Sequence, residues 1–200
     1  MLSTRTNLPN SASRTLSFTE GKLPGCYVIQ FPAFRDERGS FVKTVQRSEL
    51  IRHGLRAEFV EVFHTVSTEG VLRGMHFQIP PADHAKLVYC VSGSVWDVAL
   101  DLRIGSPTYG EHAVCTLSAE ANNAVYLPSG IAHGFVVLGA SADVMYHVTS
   151  EHDAANDRGI LWSSFGARWP VPDPVVSARD AAQVPFAEFI NPFLFEDDGR

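Results

Sequence analysis

Two hundred residues, 45% of them hydrophobic and 19% charged, leave room for one domain with a real core. A formal net charge of −6, with no clustering of Lys and Arg, excludes a large nucleic-acid-binding surface, because neutralising phosphates requires grouped cations. The longest apolar runs are broken by Gly, Ser or Asp well short of a membrane span, so no membrane partner is expected.

In chain order, residues 1–22 are rich in Ser, Thr and Asn and read as a flexible tail ahead of a domain covering 23–200. They lack the apolar centre and cleavage site of a signal peptide, while Arg5 and Arg14, with no acid before Glu20, keep a transit peptide open as the alternative. Short β-type runs punctuated by turns follow at 26–31, 41–45, 59–66, 71–78, 85–91, 95–102, 113–117, 124–127, 134–138 and 143–149. So many short runs with little helix between them predict an all-β antiparallel sandwich or barrel. The clearest hairpin joins 85–91 to 94–102 through Ser92-Gly93. In its second arm Trp96, Val98, Leu100 and Leu102 alternate with Val95, Asp97, Ala99 and Asp101, the period of a strand with unlike faces. A helix is predicted over 47–53, closed by Gly54 where a left-handed cap is needed. The Pro-rich segment 169–174 should leave the sheet as an extended arm, followed by a helical piece near 178–183. The aromatic tail Phe186, Phe189, Phe193 and Phe195 must then pack on something. Cys26, Cys90 and Cys115 are odd in number and far apart in strand-like contexts, which predicts buried free thiols in a reducing, cytoplasmic setting.

One stretch carries chemistry. Residues 70–78 read G-V-L-R-G-M-H-F-Q, placing Arg73 three residues before His76 in an apolar run. A solvent-facing strand gains nothing from that arrangement, whereas a concave site for an anionic substrate gains a charge clamp and a base. His76 is therefore the candidate catalytic base.

Further patterns converge on it: F-R-D-E-R-G-S-F at 34–41, K-L-V at 86–88, W-D-V-A-L-D-L-R at 96–103 with S-P-T-Y-G at 106–110, L-P-S-G-I-A-H-G-F at 127–135, and Tyr146. Together, over about 27–192, they resemble the dTDP-4-dehydrorhamnose 3,5-epimerase family of cupins. The resemblance implies a cupin jelly-roll barrel with a short C-terminal helical arm. It also implies a homodimer whose partner chain supplies part of the nucleotide site. The expected reaction is epimerisation of a 4-keto sugar on a nucleoside diphosphate without cofactor or metal, because the ketone already acidifies the protons on both neighbouring carbons. By the same resemblance, His76 is the base, Asp180 the carboxylate that orients it, Tyr146 the proton donor on the other face of the sugar, and Lys86 the cation at the carbon-4 oxygen. Arg73 clamps the diphosphate. Gln78, His133 and Asp97 support the cavity, and Arg38, Phe41, Lys43 and His64 fall at positions on the nucleotide side. The plainer readings are a satisfied core histidine, a helix-start carboxylate and a half-buried strand tyrosine.

Three positions depart from the family pattern. Lys43 replaces the usual glutamate of the R-G-x-F motif, Glu61-Val62-Phe63 replaces Gln-Asp-Asn before His64, and Ser164-Phe165-Gly166 replaces an Asn-Asp-Pro segment. Lysine offers donors and no acceptor, so it cannot meet the imide N–H of thymine. That predicts a preference for CDP- or GDP-linked 4-keto sugars or heptoses, with epimerisation at one carbon as an alternative outcome. Two other classes compete. A metal-dependent cupin wants His-x-His plus Glu, whereas His76 is followed by Phe77-Gln78 and the next histidine is His84. A non-catalytic sugar-nucleotide binder would not need both His76 and Tyr146.

Overall fold

The computed structural model describes residues 15–195. The elements in order are β1 (Ser17–Glu20), β2 (Tyr27–Gln30), β3 (Ala33–Asp36), β4 (Gly39–Val42), α1 (Arg47–Arg52), β5 (Glu61–Thr68), β6 (Leu72–Gln78), β7 (Lys86–Asp101), β8 (His112–Ser118), β9 (Asn123–Leu127), β10 (Ile131–Val148), β11 (Asp157–Gly159) and α2 (Ala178–Ala181). β1 falls within the segment read as a tail and pairs with β2, while residues 1–14 lie outside the described residues. Gly54 follows α1 with φ +71°, as its capping role requires. No helix among the described residues is long and apolar enough to cross a membrane.

The all-β expectation holds, but the jelly-roll barrel does not form. Nine strands make one open, branched sheet in the order β1-β2-β9-β7-β10-β6-β11, with β5 added to β10 and β8 added to β7. Its end strands do not pair with each other. A barrel closes only by pairing its first and last strands, and here the edge beyond β6 and β11 is taken by the C-terminal arm. Val71 bridges Val175 and Ile160 bridges Val184, both parallel. The arm thus folds back on the sheet, and its aromatic tail finds its partner in Phe77, whose ring lies 5.1 Å from that of Phe189 and 5.8 Å from that of Phe193.

The predicted hairpin at Ser92-Gly93 is also corrected. β7 runs straight through it, with residues 86–89 pairing β9 and residues 94–100 pairing β8. β10 is likewise continuous through 138–143, and the β7–β10 register shifts there. Gly93 makes a kink instead of a reversal because Ser141 and Ala142 cross directly over it. A Cβ at Gly93 would stand 2.0 Å from the Ser141 carbonyl oxygen and 2.9 Å from Ala142 Cα. The local sequence signals of a turn and of a kink are the same glycine at positive φ, here +69°.

Burial follows the strand periods. Residues 131–137 of β10 are buried throughout, and beyond the kink Ala142, Val144, Tyr146 and Val148 are buried in alternation with half-buried neighbours. Cys26 and Cys90 are buried free thiols and Cys115 is a half-buried one. Burial pushes Cys26 and Cys90 up to about 12, leaving them unreactive. The hairpin β3–β4 stands apart as its own two-stranded sheet, with Phe34 50% and Phe41 57% exposed.

Gly93→Ala is expected to lower the free energy of unfolding by about 2 kcal/mol or more, because the contact is with backbone and the φ is strained for alanine. Urea denaturation checks this, and a loss of less than about 0.5 kcal/mol would contradict the crossing geometry.

Candidate active site

β6 brings His76 to the wall of a cavity of about 240 Å³, walled also by β5, the start of β7 and the second half of β10. Its partner comes from the far end of the chain. Ser177 caps α2 by accepting from the Asp180 N–H, and this sets Asp180 against β6. Asp180 Oδ1 accepts from His76 Nε2 at 2.7 Å and Oδ2 accepts from the Gly74 N–H at 3.1 Å. Burial alone would raise the Asp180 carboxyl, but the His76 hydrogen bond and charge, the Gly74 N–H and the nearby Arg179 hold it below its ordinary range. With Nε2–H committed to the carboxylate, Nδ1 is the nitrogen that keeps a lone pair. The His76 side chain is 32% exposed, so the ring is reachable while its partner is buried.

Lys86, the first residue of β7, is buried and donates from Nζ to the His76 carbonyl oxygen at 2.9 Å. Desolvation pulls its ammonium down to about 8, against the pull of Asp157 and Asp97 in the other direction. Tyr146 on β10 is buried against the same cavity. Its ring stacks on Phe63 at 4.7 Å and 11°, and meets the His133 ring edge-on at 6.0 Å. Burial pushes the phenol well above its ordinary range, and the Asp97 charge adds to the effect. His133 lines the cavity with Asp97 behind it, joined through Nε2 and Oδ2 at 2.7 Å, both side chains buried. Arg73 lines the cavity with its Nε donating to Ser67 Oγ at 2.9 Å.

Other predicted site residues sit differently. Gln78 lines the cavity, but its amide is occupied: Oε1 accepts from the Asp153 N–H at 2.6 Å, and Nε2 donates to Ala82 O at 2.8 Å and Glu151 O at 3.1 Å. It ties the 150–153 loop to β6. His64 is exposed and pairs with Asp143 at 2.8 Å, outside the cavity. The strand period requires this, since Phe63 and Thr65 on either side face in. Arg38, Phe41 and Lys43 are also off this wall. Arg38 pairs with Asp36 on the exposed β3–β4 hairpin, and Lys43 is exposed just beyond it.

The cavity wall also holds residues the sequence reading did not select, among them Thr65 on β5, His84, Ser150, Asp157 and Arg179. Arg179 pairs with Asp157 at 2.7 Å beside Asp180. The alternation of Glu61, Phe63 and Thr65 was available as a signal, whereas Arg179 and Asp157 meet only through the fold. Among the described residues no cluster of three or more His, Cys, Asp or Glu side chains is placed to hold a metal ion.

A base oriented by a carboxylate, a buried cation and a phenol around one cavity can move a carbon-bound proton, which is isomerase chemistry. The sequence profile of the dTDP-4-dehydrorhamnose 3,5-epimerase family matches residues 20–188. A dTDP-4-dehydrorhamnose 3,5-epimerase of Shigella flexneri is 40% identical over 162 residues, 80% of this chain and 90% of the relative. The dTDP-6-deoxy-D-glucose-3,5-epimerase of Legionella pneumophila, solved with dTDP-4-keto-L-rhamnose, superposes with a TM-score of 0.86 at 30% identity, covering 92% of this chain and all of that one. ChmJ of Streptomyces bikiniensis, a 3'-monoepimerase solved with dTDP-quinovose, gives a TM-score of 0.78 at 30% identity over 83% of this chain and 86% of that one. The chain belongs to the dTDP-4-dehydrorhamnose 3,5-epimerase family.

Titration of Lys86, followed by NMR of labelled lysine side chains, should show a midpoint near 8. A midpoint at the ordinary lysine value of about 10.4 would contradict the desolvation of this wall.

Proposed function

We propose that the chain inverts both carbons flanking the ketone of a dTDP-linked 4-keto-deoxy sugar. The observation that carries this is the buried Asp180 bonded to a reachable His76 beside a buried Lys86. His76 Nδ1 takes the proton from the carbon next to the ketone, and the electron pair moves onto the carbon-4 oxygen as an enolate. The Lys86 ammonium faces that oxygen, in a site where a fixed cation is worth more than in water. Asp180 stabilises the imidazolium. Tyr146 gives its phenol proton to the opposite face of the same carbon, and the carbonyl re-forms. The count is restored when the imidazolium loses a proton and the phenolate regains one. The second carbon follows by the same steps, because one ketone acidifies both neighbours. Arg73 holds the diphosphate with its planar fork.

The preference for CDP or GDP inferred from Lys43 is set aside. Lys43 is exposed and off the cavity wall, and the Shigella flexneri and Legionella pneumophila relatives are epimerases of dTDP-linked sugars. Epimerisation at a single carbon is the second reading, favoured by the likeness to the monoepimerase ChmJ.

The cavity of about 240 Å³ is smaller than the roughly 300–1,000 Å³ of pockets that enclose a whole ligand. The nucleotide therefore lies along its mouth. A two-stranded hairpin is marginal alone in water, and β3–β4 exposes Phe34 and Phe41. We take this hairpin, with Arg38 and Phe41, to reach the nucleotide in the site of a partner subunit in a homodimer. Free thiols suit a reducing cytoplasm.

His76→Ala should lower solvent-deuterium entry beside the ketone and inversion together by about 10²–10⁴-fold, with dTDP binding retained. Tyr146→Phe should keep deuterium entry and lose inversion. Near-wild-type exchange in the first variant, or wild-type inversion in the second, removes that residue from its role.

A further inference from the structure

Phe63 lines the cavity and takes no part in the mechanism above. It lies directly opposite Tyr146 in the β5–β10 register, and the two rings are nearly parallel, 4.7 Å apart at 11°. The burial of the pair is unequal: Phe63 is 41% exposed and Tyr146 only 7%. Phe63 thus takes the solvent on behalf of the phenol. On another side the Tyr146 ring meets the edge of His133 at 72°, and His133 is itself held by buried Asp97. Two ring contacts at nearly right angles leave the phenol little freedom to rock. Of the two, the His133 side is anchored in the core, whereas Phe63 sits on β5, which among the described residues pairs only with β10.

We infer that Phe63 is a positioning residue for Tyr146: its ring fixes the plane of the phenol and keeps water off it, so that the proton returned to the sugar comes from Tyr146. This rests on the reading of Tyr146 as the proton donor. A phenol free to tilt would miss the carbon while His76 still removed and returned protons on its own face. Exchange would then continue without inversion. The role is distinct from holding the fold, because a loosened fold would lower both together.

The test compares Phe63→Ala, which removes the ring, with Phe63→Tyr, which keeps a stacking ring, using a dTDP-linked 4-keto-deoxy sugar in D2O. Aromatic pairs of this kind set the scale of the effect. The ratio of inversion to deuterium exchange should fall about three- to tenfold in Phe63→Ala, with exchange within about twofold of wild type, and should recover in Phe63→Tyr. An unchanged ratio in Phe63→Ala, or exchange and inversion falling in parallel, overturns the inference. A second readout needs no turnover. NMR of Tyr ring-labelled protein should show the Tyr146 phenol titrating at lower pH in Phe63→Ala than in wild type or Phe63→Tyr, because water reaches it. No difference between the three overturns the inference even if wild type proves inactive on the sugar, which would instead count against the proposed reaction.

Discussion

The hydrogen bond between His76 and Asp180 is the contact on which the rest of the site depends. The two residues are 104 positions apart, and everything between them is arranged so that they meet. The carboxylate is held by the imidazole and by the Gly74 N–H, and the Asp180 backbone is held by the Ser177 cap that starts its helix. A buried carboxylate is costly unless paired, so the arm that carries Asp180 gains its own reason to stay on the sheet. The open edge of the sheet is part of the same solution. Had the strands closed into a barrel, the arm could not have bridged Val71 and Ile160, and Asp180 would have had no route to the histidine.

Long bent strands supply the other half of the geometry. β7 and β10 each change neighbours midway, and the kink at Gly93 under Ser141 lets one strand serve two packing environments. Lys86 and Tyr146 are thereby presented from adjacent strands to one cavity. Both are held away from their ordinary chemistry by burial, the ammonium pulled down to about 8 and the phenol pushed up. On the proposed mechanism, a cation that is expensive in the resting site would be relieved by an oxyanion forming beside it, favouring the enolate over the ground-state ketone. On the same mechanism the phenol, reluctant to ionise, would be kept protonated for its role as donor.

The grouping of Arg73 with His76 was legible in the sequence because both sit in one short apolar run, and Lys86 and Tyr146, selected by resemblance, line the same cavity. Asp180 was also selected by resemblance, since nothing local tells a helix-start carboxylate from one that pairs with a distant histidine. Closure of the sheet was not legible. Alternation reports which face of a strand is buried and is silent on whether the first and last strands pair. Ser92-Gly93 was misread because a turn and a kink use the same residues, and the difference lies in the backbone crossing above. Lys43 was given a role by its motif position, yet it is exposed just beyond the β3–β4 hairpin and off the cavity wall. His64 lost its place to the strand period, which was readable from Phe63 and Thr65 on either side.

The most direct measurement is the fate of solvent deuterium in the wild-type protein. Incubated in D2O with dTDP-4-keto-6-deoxyglucose and followed by proton NMR, the sugar should acquire deuterium at both carbons flanking the ketone, with inverted configuration at each. Absence of deuterium at both positions would contradict the account.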